Sequence, residues 1–431
     1  MALTCLGSLV ALPAATATGQ ERARFDTKLF AKIPAPGFPA SAYLHPDSRV
    51  YEGTYDNPAG DPRPSRVFEF TNRGSLTRSW TIGGQTLDGP HGVQVAASDA
   101  DGDLVLLDKS PARVLKLDRA TGVQSIYATF PEAALPNFAA WGPDGSLYLS
   151  DYAHAVLWRV PPGGGVAIPW LRSPVLEGGG FGATGLRLLA DQRTLLVAMQ
   201  SQGGGTNGNP TTGRLYKVAI NPDGSAGAPV QFWESGPLEG PDGFAVATSG
   251  NVYITLLLTN QLAVVSPQGQ TVERFPSAPL SGENGGPVPF DGPSNAVFDG
   301  QRLLVAQQSF LAGTAANQVI QDVFVGETGL PELVPPASAD DPPVPEPEPL
   351  EICRTRRTIT LPRLPEGVRY RSAAAKVPGD RVRKVTLRGG RSRKATVDVS
   401  KAKDARIRVT VRVRRTDRRT RTFSRVLRVC S

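Results

Sequence analysis

"EGPDGFAVATSGNVYIT" runs from Glu239 to Thr255. Pro-Asp-Gly normally reads as a tight turn, because proline presets one backbone angle and glycine accepts a positive φ. The same triplet stands at Pro143-Asp144-Gly145 and Pro222-Asp223-Gly224. The three differ in where they fall within a repeat.

Five further stretches share the grammar of that segment. They are "GFPASAYLHPDSRVYEGTY" from Gly37, "DGPHGVQVAASDADGDLVLLD" from Asp88, "LPNFAAWGPDGSLYLSD" from Leu135, "FGATGLRLLADQRTLLVAM" from Phe181 and "DGPSNAVFDGQRLLVAQ" from Asp291. Each opens on Gly, Pro and a small or polar residue, then gives an apolar strand, a polar turn and a second apolar strand. Aligned on Pro39, Pro90, Pro136, Ala183, Pro241 and Pro293, the units follow one another at 51, 46, 47, 58 and 52 residues. That is the span of a four-stranded propeller blade. "RVLKLDRATGVQSIYA", "AVLWRVPPGGGVAIPW" and "QLAVVSPQGQTVERF" supply further strand pairs joined by turn residues. The reading is an all-β chain with a six-bladed β-propeller over 26–330. The early strand "TKLFAKI" is expected to pair into the last blade and close the ring.

The chain has 431 residues, 46 of them Gly and 39 Pro, and its net charge of +8 hides a split. From Glu351 to Ser431 there are 26 Lys and Arg against 6 Asp and Glu, so the remainder carries an acidic excess. "PELVPPASADDPPVPEPEPLE" reads as a Pro- and acid-rich linker over 331–351. Beyond it, "ARIRVTVRVRR" places Ile407, Val409, Val411 and Val413 on one face. Residues 352–431 are therefore expected to form a small basic β-sandwich.

"MALTCLGSLVALPAATATGQ", residues 1–20, resembles a signal peptide, although a basic start is missing. It predicts a secreted or extracytoplasmic protein. In that setting Cys353 and Cys430, one near each end of the basic domain, suggest a closing disulfide. Closing about 78 residues would stabilise the domain by about 4.5 kcal/mol in the chain-entropy model. The basic domain could attach to an anionic surface polymer. Its only aromatics are Tyr370 and Phe423, which argues against base stacking and specific nucleic-acid binding. Arginine alternating with valine is also the pattern of a solvated face. A monomer is expected.

In a propeller the first strand of each blade lines the central channel. That puts His91, Asn137, Thr184, Asp242 and Ser294 at equivalent strand starts, with Asp88 and Asp291 just before two of them. Asp144 and Asp223 fall between strands and make hairpin turns. Asp242 falls before the innermost strand of its blade and should point into the channel mouth. Carboxylate and amide oxygens converging there suit a hard cation such as Ca²⁺. The same groups could simply cap strand starts. The Gly-rich stretch Gln200 to Gly213 reads as a loop at the channel rim, with no Lys-Ser/Thr to make it a phosphate loop. No Gly-x-Ser-x-Gly elbow occurs.

"DGPHGV", "PNFAAWGPDGSLYLSD", "ATGLRLLADQRTLLVA" and "EGPDGFAVATSGNVYIT" resemble the gluconolactonase, senescence-marker-protein and luciferin-regenerating-enzyme group of six-bladed propellers. The resemblance implies a divalent metal, Ca²⁺ above all, held at Asp88, Thr184 and Asp242, where the group has Glu, Asn and Asp. It implies Asn137 as a substrate contact. Phe138 stands where the group often has Asp. The implied activity is hydrolysis of a small lactone, with Asp242 as metal ligand and general base. His91 has no counterpart in the group's motif and is a candidate second base or a channel-lining residue. The alternatives are a non-catalytic ligand- or protein-binding propeller and, more distantly, a strictosidine-synthase-like condensing enzyme.

Overall fold

The computed structural model describes residues 22–35, 37–55, 62–202 and 212–335, and then 356–361, 370–376, 383–387, 394–398, 406–416 and 419–428. Residues 1–20, Cys353 and Cys430 lie outside the described residues, and with them the signal-peptide and disulfide readings.

Six four-stranded antiparallel blades stand around a central channel. From the axis outward, blade 1 holds Tyr43–Leu44, Val50–Gly53, Arg66–Phe70 and Leu76–Thr81. Blade 2 holds Val93–Ser98, Leu104–Lys109, Ala112–Leu117 and Gln124–Thr129, with Gly165–Val166 added at its outer edge. Blade 3 holds Pro136–Trp141, Leu147–Asp151, Val156–Val160 and Ile168–Arg172. Blade 4 holds Ala183–Leu188, Thr194–Met199, Thr212–Ala219 and Val230–Pro237. Blade 5 holds Pro241–Val246, Val252–Leu256, Gln261–Val265 and Thr271–Phe275. Blade 6 takes Pro293–Asp299, Arg302–Gln307 and Val319–Phe324 from the end of the ring and Thr27–Lys32 from its beginning.

A blade is covered on both faces by its neighbours, so its middle strands read as unbroken apolar runs. Leu147–Asp151 and Val252–Leu256 are buried at every position. The outermost strand Leu76–Thr81 is almost wholly exposed, which is why its sequence is polar. Six apolar layers fill the six gaps between neighbouring blades. The gap between blades 6 and 1 is filled like the rest by a buried apolar layer, Phe30, Phe68, Leu304 and Ile320 among it.

The turn aspartates behave as their position in the repeat predicts. Asp144 accepts the Ser146 N–H at 3.1 Å, and Asp223 the Ser225 N–H at 2.9 Å. Asp242 lies inside a buried innermost strand.

The propeller does not end at 330. The Leu330 N–H donates to the Val246 carbonyl at 2.8 Å, Gly329 bridges to Ala247, and Glu332 pairs with Arg187 at 3.1 Å. Leu333 packs into the layer between blades 2 and 3. The expected linker thus begins as a strap across the lower channel mouth, where the innermost strands end. Only glycine fits at 329, since a Cβ there would come within 2.3 Å of the Phe298 side chain.

The C-terminal unit is all-β. Its six strands are Arg356–Thr360, Tyr370–Lys376, Arg383–Leu387, Lys394–Asp398, Arg406–Arg415 and Thr420–Arg428, paired in the order 1-4-3-2-5-6. The third strand pairs with the second through Arg383–Val385 and with the fourth through Thr386 and Leu387. A strand shared in this way is the corner of a sandwich. Val409, Val411, Val413, Ala373 and Ala375 are buried, as the alternation predicts.

Candidate functional site at the upper channel mouth

Strand register fixes which side chains meet at this mouth. Pro136 pairs with Asp151, Ala183 with Met199, Pro241 with Leu256 and Pro293 with Gln307. In blade 1 that place is held by Pro39, bridged to Thr54. In blade 2 it is held by Val93, opposite Asp108. The following residues form a ring of six equivalent positions: Ala40, Gln94, Asn137, Thr184, Asp242 and Ser294. All six are buried.

His91 is therefore displaced from the ring. The blade 2 entry is three residues longer than an alignment on Pro90 implies, and Gln94 takes the channel position. The His91 ring is fully buried, with Nδ1 2.8 Å from the Gly89 carbonyl and Nε2 2.8 Å from the Arg63 carbonyl. Both ring nitrogens lie against backbone carbonyls and His91 does not line the cavity, so it is not placed to act as a base there. Asp88 is exposed and does not line the mouth. The Thr184 hydroxyl points to the Pro241 and Asp242 carbonyls at 3.4 and 3.3 Å. Ser294 repeats the device, donating to the Ala40 carbonyl at 2.7 Å. These hydroxyls tie one blade to the next. Asp291 is also structural, accepting from Ser309 and Asn317 at 2.6 and 2.9 Å.

Of the predicted residues, Asp242 and Asn137 meet. They line a cavity of about 220 Å³ with Gln94, Tyr55, Lys109, Tyr152 and Gln200. Phe38, Phe138, Phe181, Leu257 and Phe310 supply its apolar wall. Among the described residues, no ion pair or hydrogen bond reaches the Asp242 carboxylate. Burial holds its pKa well above the usual carboxylate range, as expected when a charge loses water without gaining a partner. Burial, and then the Asp242 charge, push the Tyr152 phenol up as well. Asn137 Nδ2 donates to the Tyr55 hydroxyl at 3.0 Å, while its Oδ1 is buried with no partner. Gln94 Oε1 is likewise buried without a donor. The Lys109 ammonium rests 4.0 Å over the Tyr55 ring.

The cavity thus joins one desolvated carboxylate and two orphaned amide oxygens. Buried acceptors normally find a donor, and an all-oxygen set of this kind fits a hard cation. Among the described residues no three His, Cys, Asp or Glu side chains cluster to hold a metal, so such a site would lean on amides. Gln94 could have been found from sequence by aligning "LVLLD" with "LYLSD" instead of aligning the prolines.

A second buried carboxylate, Glu52, lies beside the ring. Its Oε1 accepts from the Ala40 and Ser41 N–H groups at 3.2 and 3.0 Å, and its Oε2 has no partner. Burial raises its pKa to about 8.

Fold and mouth together define a six-bladed β-propeller with a polar, oxygen-lined pocket. No family model matches the chain, and no curated protein does. Solved structures do. The calcium-binding protein regucalcin of Agrobacterium tumefaciens is similar over 71% of this chain and 98% of its own, at 15% identity and a TM-score of 0.51. A luciferin-regenerating enzyme is similar over 70% of this chain and 95% of its own, at 14% identity and a TM-score of 0.46. Virginiamycin B lyase from Staphylococcus aureus is similar over 68% of this chain and 82% of its own, at 14% identity and a TM-score of 0.46. The first two are six-bladed propellers of the group that the sequence motifs resemble. At these identities the likeness is one of fold.

Proposed function

We propose that the Asp242 pocket binds a divalent cation, Ca²⁺ by the oxygen character of its donors, and that the protein is a lactonase-like hydrolase of a small lactone. The observation that carries this reading is the buried, unpaired Asp242 carboxylate beside the orphaned oxygens of Asn137 and Gln94. A bound cation would polarise a carbonyl and lower the pKa of water. The chain itself supplies the rest. Asp242 holds negative charge or a proton at the floor of the pocket. Tyr55 orients Asn137 through its Nδ2, leaving Oδ1 free to meet a ligand. The apolar wall excludes water.

A second reading, a ligand-binding propeller without catalysis, is favoured by a specific observation. Among the described residues lining the pocket, Asp242 is the only carboxylate, and the Thr184 hydroxyl is engaged with backbone. Low ligand charge lowers Ca²⁺ affinity.

A lactone panel assayed with Ca²⁺ and with chelator separates the two. Under the hydrolase reading, turnover stops with chelator, and Asp242→Ala lowers it by roughly 10²-fold or more. Turnover that survives both treatments would sink the reading of the Asp242 pocket as a metal-dependent hydrolase site. Ca²⁺ binding with no turnover across the panel would select the second reading.

A further inference from the structure

Three neighbouring strands at one end of the C-terminal sheet, the second, fifth and sixth, build a cationic face. Thr410, Arg412 and Arg414 alternate with the buried Val409, Val411 and Val413 on the fifth strand. Their direct partners on the second strand are Lys376, Ala374 and Ser372. On the sixth strand they are Ser424, Thr422 and Thr420. Directly opposed residues of an antiparallel pair lie on the same side. One face of the sheet therefore carries Arg412, Arg414 and Lys376 set among five Ser and Thr hydroxyls. Both arginines and the lysine are exposed. These three strands contain no Asp or Glu, so no carboxylate is interleaved to neutralise the face. That is unlike an ordinary solvated surface, where charges of both signs mix.

We propose that this face binds a linear phosphodiester polymer outside the cytoplasm, of the poly(alditol phosphate) kind. Residues two apart on a strand are about 7 Å apart, so Arg412 and Arg414 present guanidinium forks at a regular interval. A guanidinium meets a phosphate with paired hydrogen bonds, which a lysine does not. The surrounding hydroxyls donate to the same oxygens and suit a hydroxylated chain. The face has no aromatic ring on which a base could stack, which disfavours single-stranded nucleic acid. It also has no apolar side chain larger than Ala374 to enter a bilayer, which disfavours a membrane. The exported setting expected from residues 1–20 selects a surface polymer. The chain leaves the propeller by the strap at the lower mouth, so attachment through the C-terminal unit joins the ring at the end away from the Asp242 pocket.

The test uses the full-length chain and poly(glycerol phosphate), with single-stranded DNA, a sulfated polysaccharide and phosphatidylglycerol vesicles as the other arms. The expected result is tightest binding to poly(glycerol phosphate), weakened at least about 10-fold between 50 and 200 mM salt. The triple variant Arg412→Ser, Arg414→Ser, Lys376→Ser should weaken it by about 10-fold or more, with the thermal unfolding of the chain unchanged. Arg412→Lys with Arg414→Lys keeps the charge and should give intermediate affinity, which guards against a triple variant that misfolds. The proposal is overturned by no binding, by binding indifferent to salt or to both variants, or by tighter binding to any other arm. It is also overturned if binding appears only after the acidic residues of 336–351 are neutralised, since the face would then be covered by its own linker.

Discussion

Deleting residues 22–32 is expected to abolish the cooperative thermal unfolding of the propeller. Thr27–Lys32 is the outermost strand of blade 6 and the only one that comes from the far end of the ring. It pairs along Val319–Phe324 from Thr27↔Val323 to Lys32↔Val319. Phe30 and Ala31 are buried in the layer between blades 6 and 1, and Phe25 stacks on Phe275 with ring centroids 4.4 Å apart. Each buried phenylalanine is worth roughly 1.5–3 kcal/mol. The deletion also removes Arg22, which pairs with Asp322 at 2.7 Å, and leaves the Arg302–Asp322 pair without that second cation. Lost burial and lost pairing together reach several kcal/mol, against a typical total stability of about 5–15 kcal/mol. Calorimetry on the deleted and intact chains checks this. An unchanged unfolding temperature would show that the ring does not depend on this closure.

The second large effect is a pH dependence set by Glu52. Its folded pKa, about 8, stands above the ordinary 4.5 because burial disfavours the charge. Between those values the unfolded chain has released the proton and the folded chain retains it. The unfolded state then binds fewer protons, so stability falls as pH rises. The loss is at most about 1.4 kcal/mol per pH unit. Glu52→Gln removes this slope, but its amide N–H meets no acceptor, a cost of about 1–3 kcal/mol. The variant should therefore be less stable than the wild type at pH 5 and more stable at pH 8. Urea unfolding at several pH values shows whether the two curves cross. Parallel curves would mean that Glu52 is ionised in the folded protein.

The architecture was legible because a blade is a local unit. Proline, turn residues and two apolar runs recur at near-constant spacing, and six such units leave one arrangement. The Asp242 position was legible for the same reason, since its triplet precedes an innermost strand while Asp144 and Asp223 sit in hairpins. What failed was register. Three extra residues before Val93 shift the channel position of blade 2 from His91 to Gln94, and Pro90, unlike Pro136, Pro241 and Pro293, is not the first paired residue of its blade. Thr184 sits where expected, but its hydroxyl finds the carbonyls of the next blade, a partner that no local pattern reveals. Glu52 comes from a second strand and reaches back to the Ala40 and Ser41 N–H groups, so a search confined to first strands passes over it. The part of the strap from Pro331 to Leu333 reads as the start of a Pro-rich linker because the partner of Glu332, Arg187, is remote in sequence.

The most direct test is a calorimetric Ca²⁺ titration of the wild type and Asp242→Asn, each in two buffers of different ionisation heat. Burial raises the Asp242 pKa, so Ca²⁺ binding there should be coupled to proton release and should strengthen as pH rises. Asp242→Asn should abolish both the binding and the release. Ca²⁺ binding that persists in Asp242→Asn, or no binding to the wild type, would contradict a cation site at the upper channel mouth.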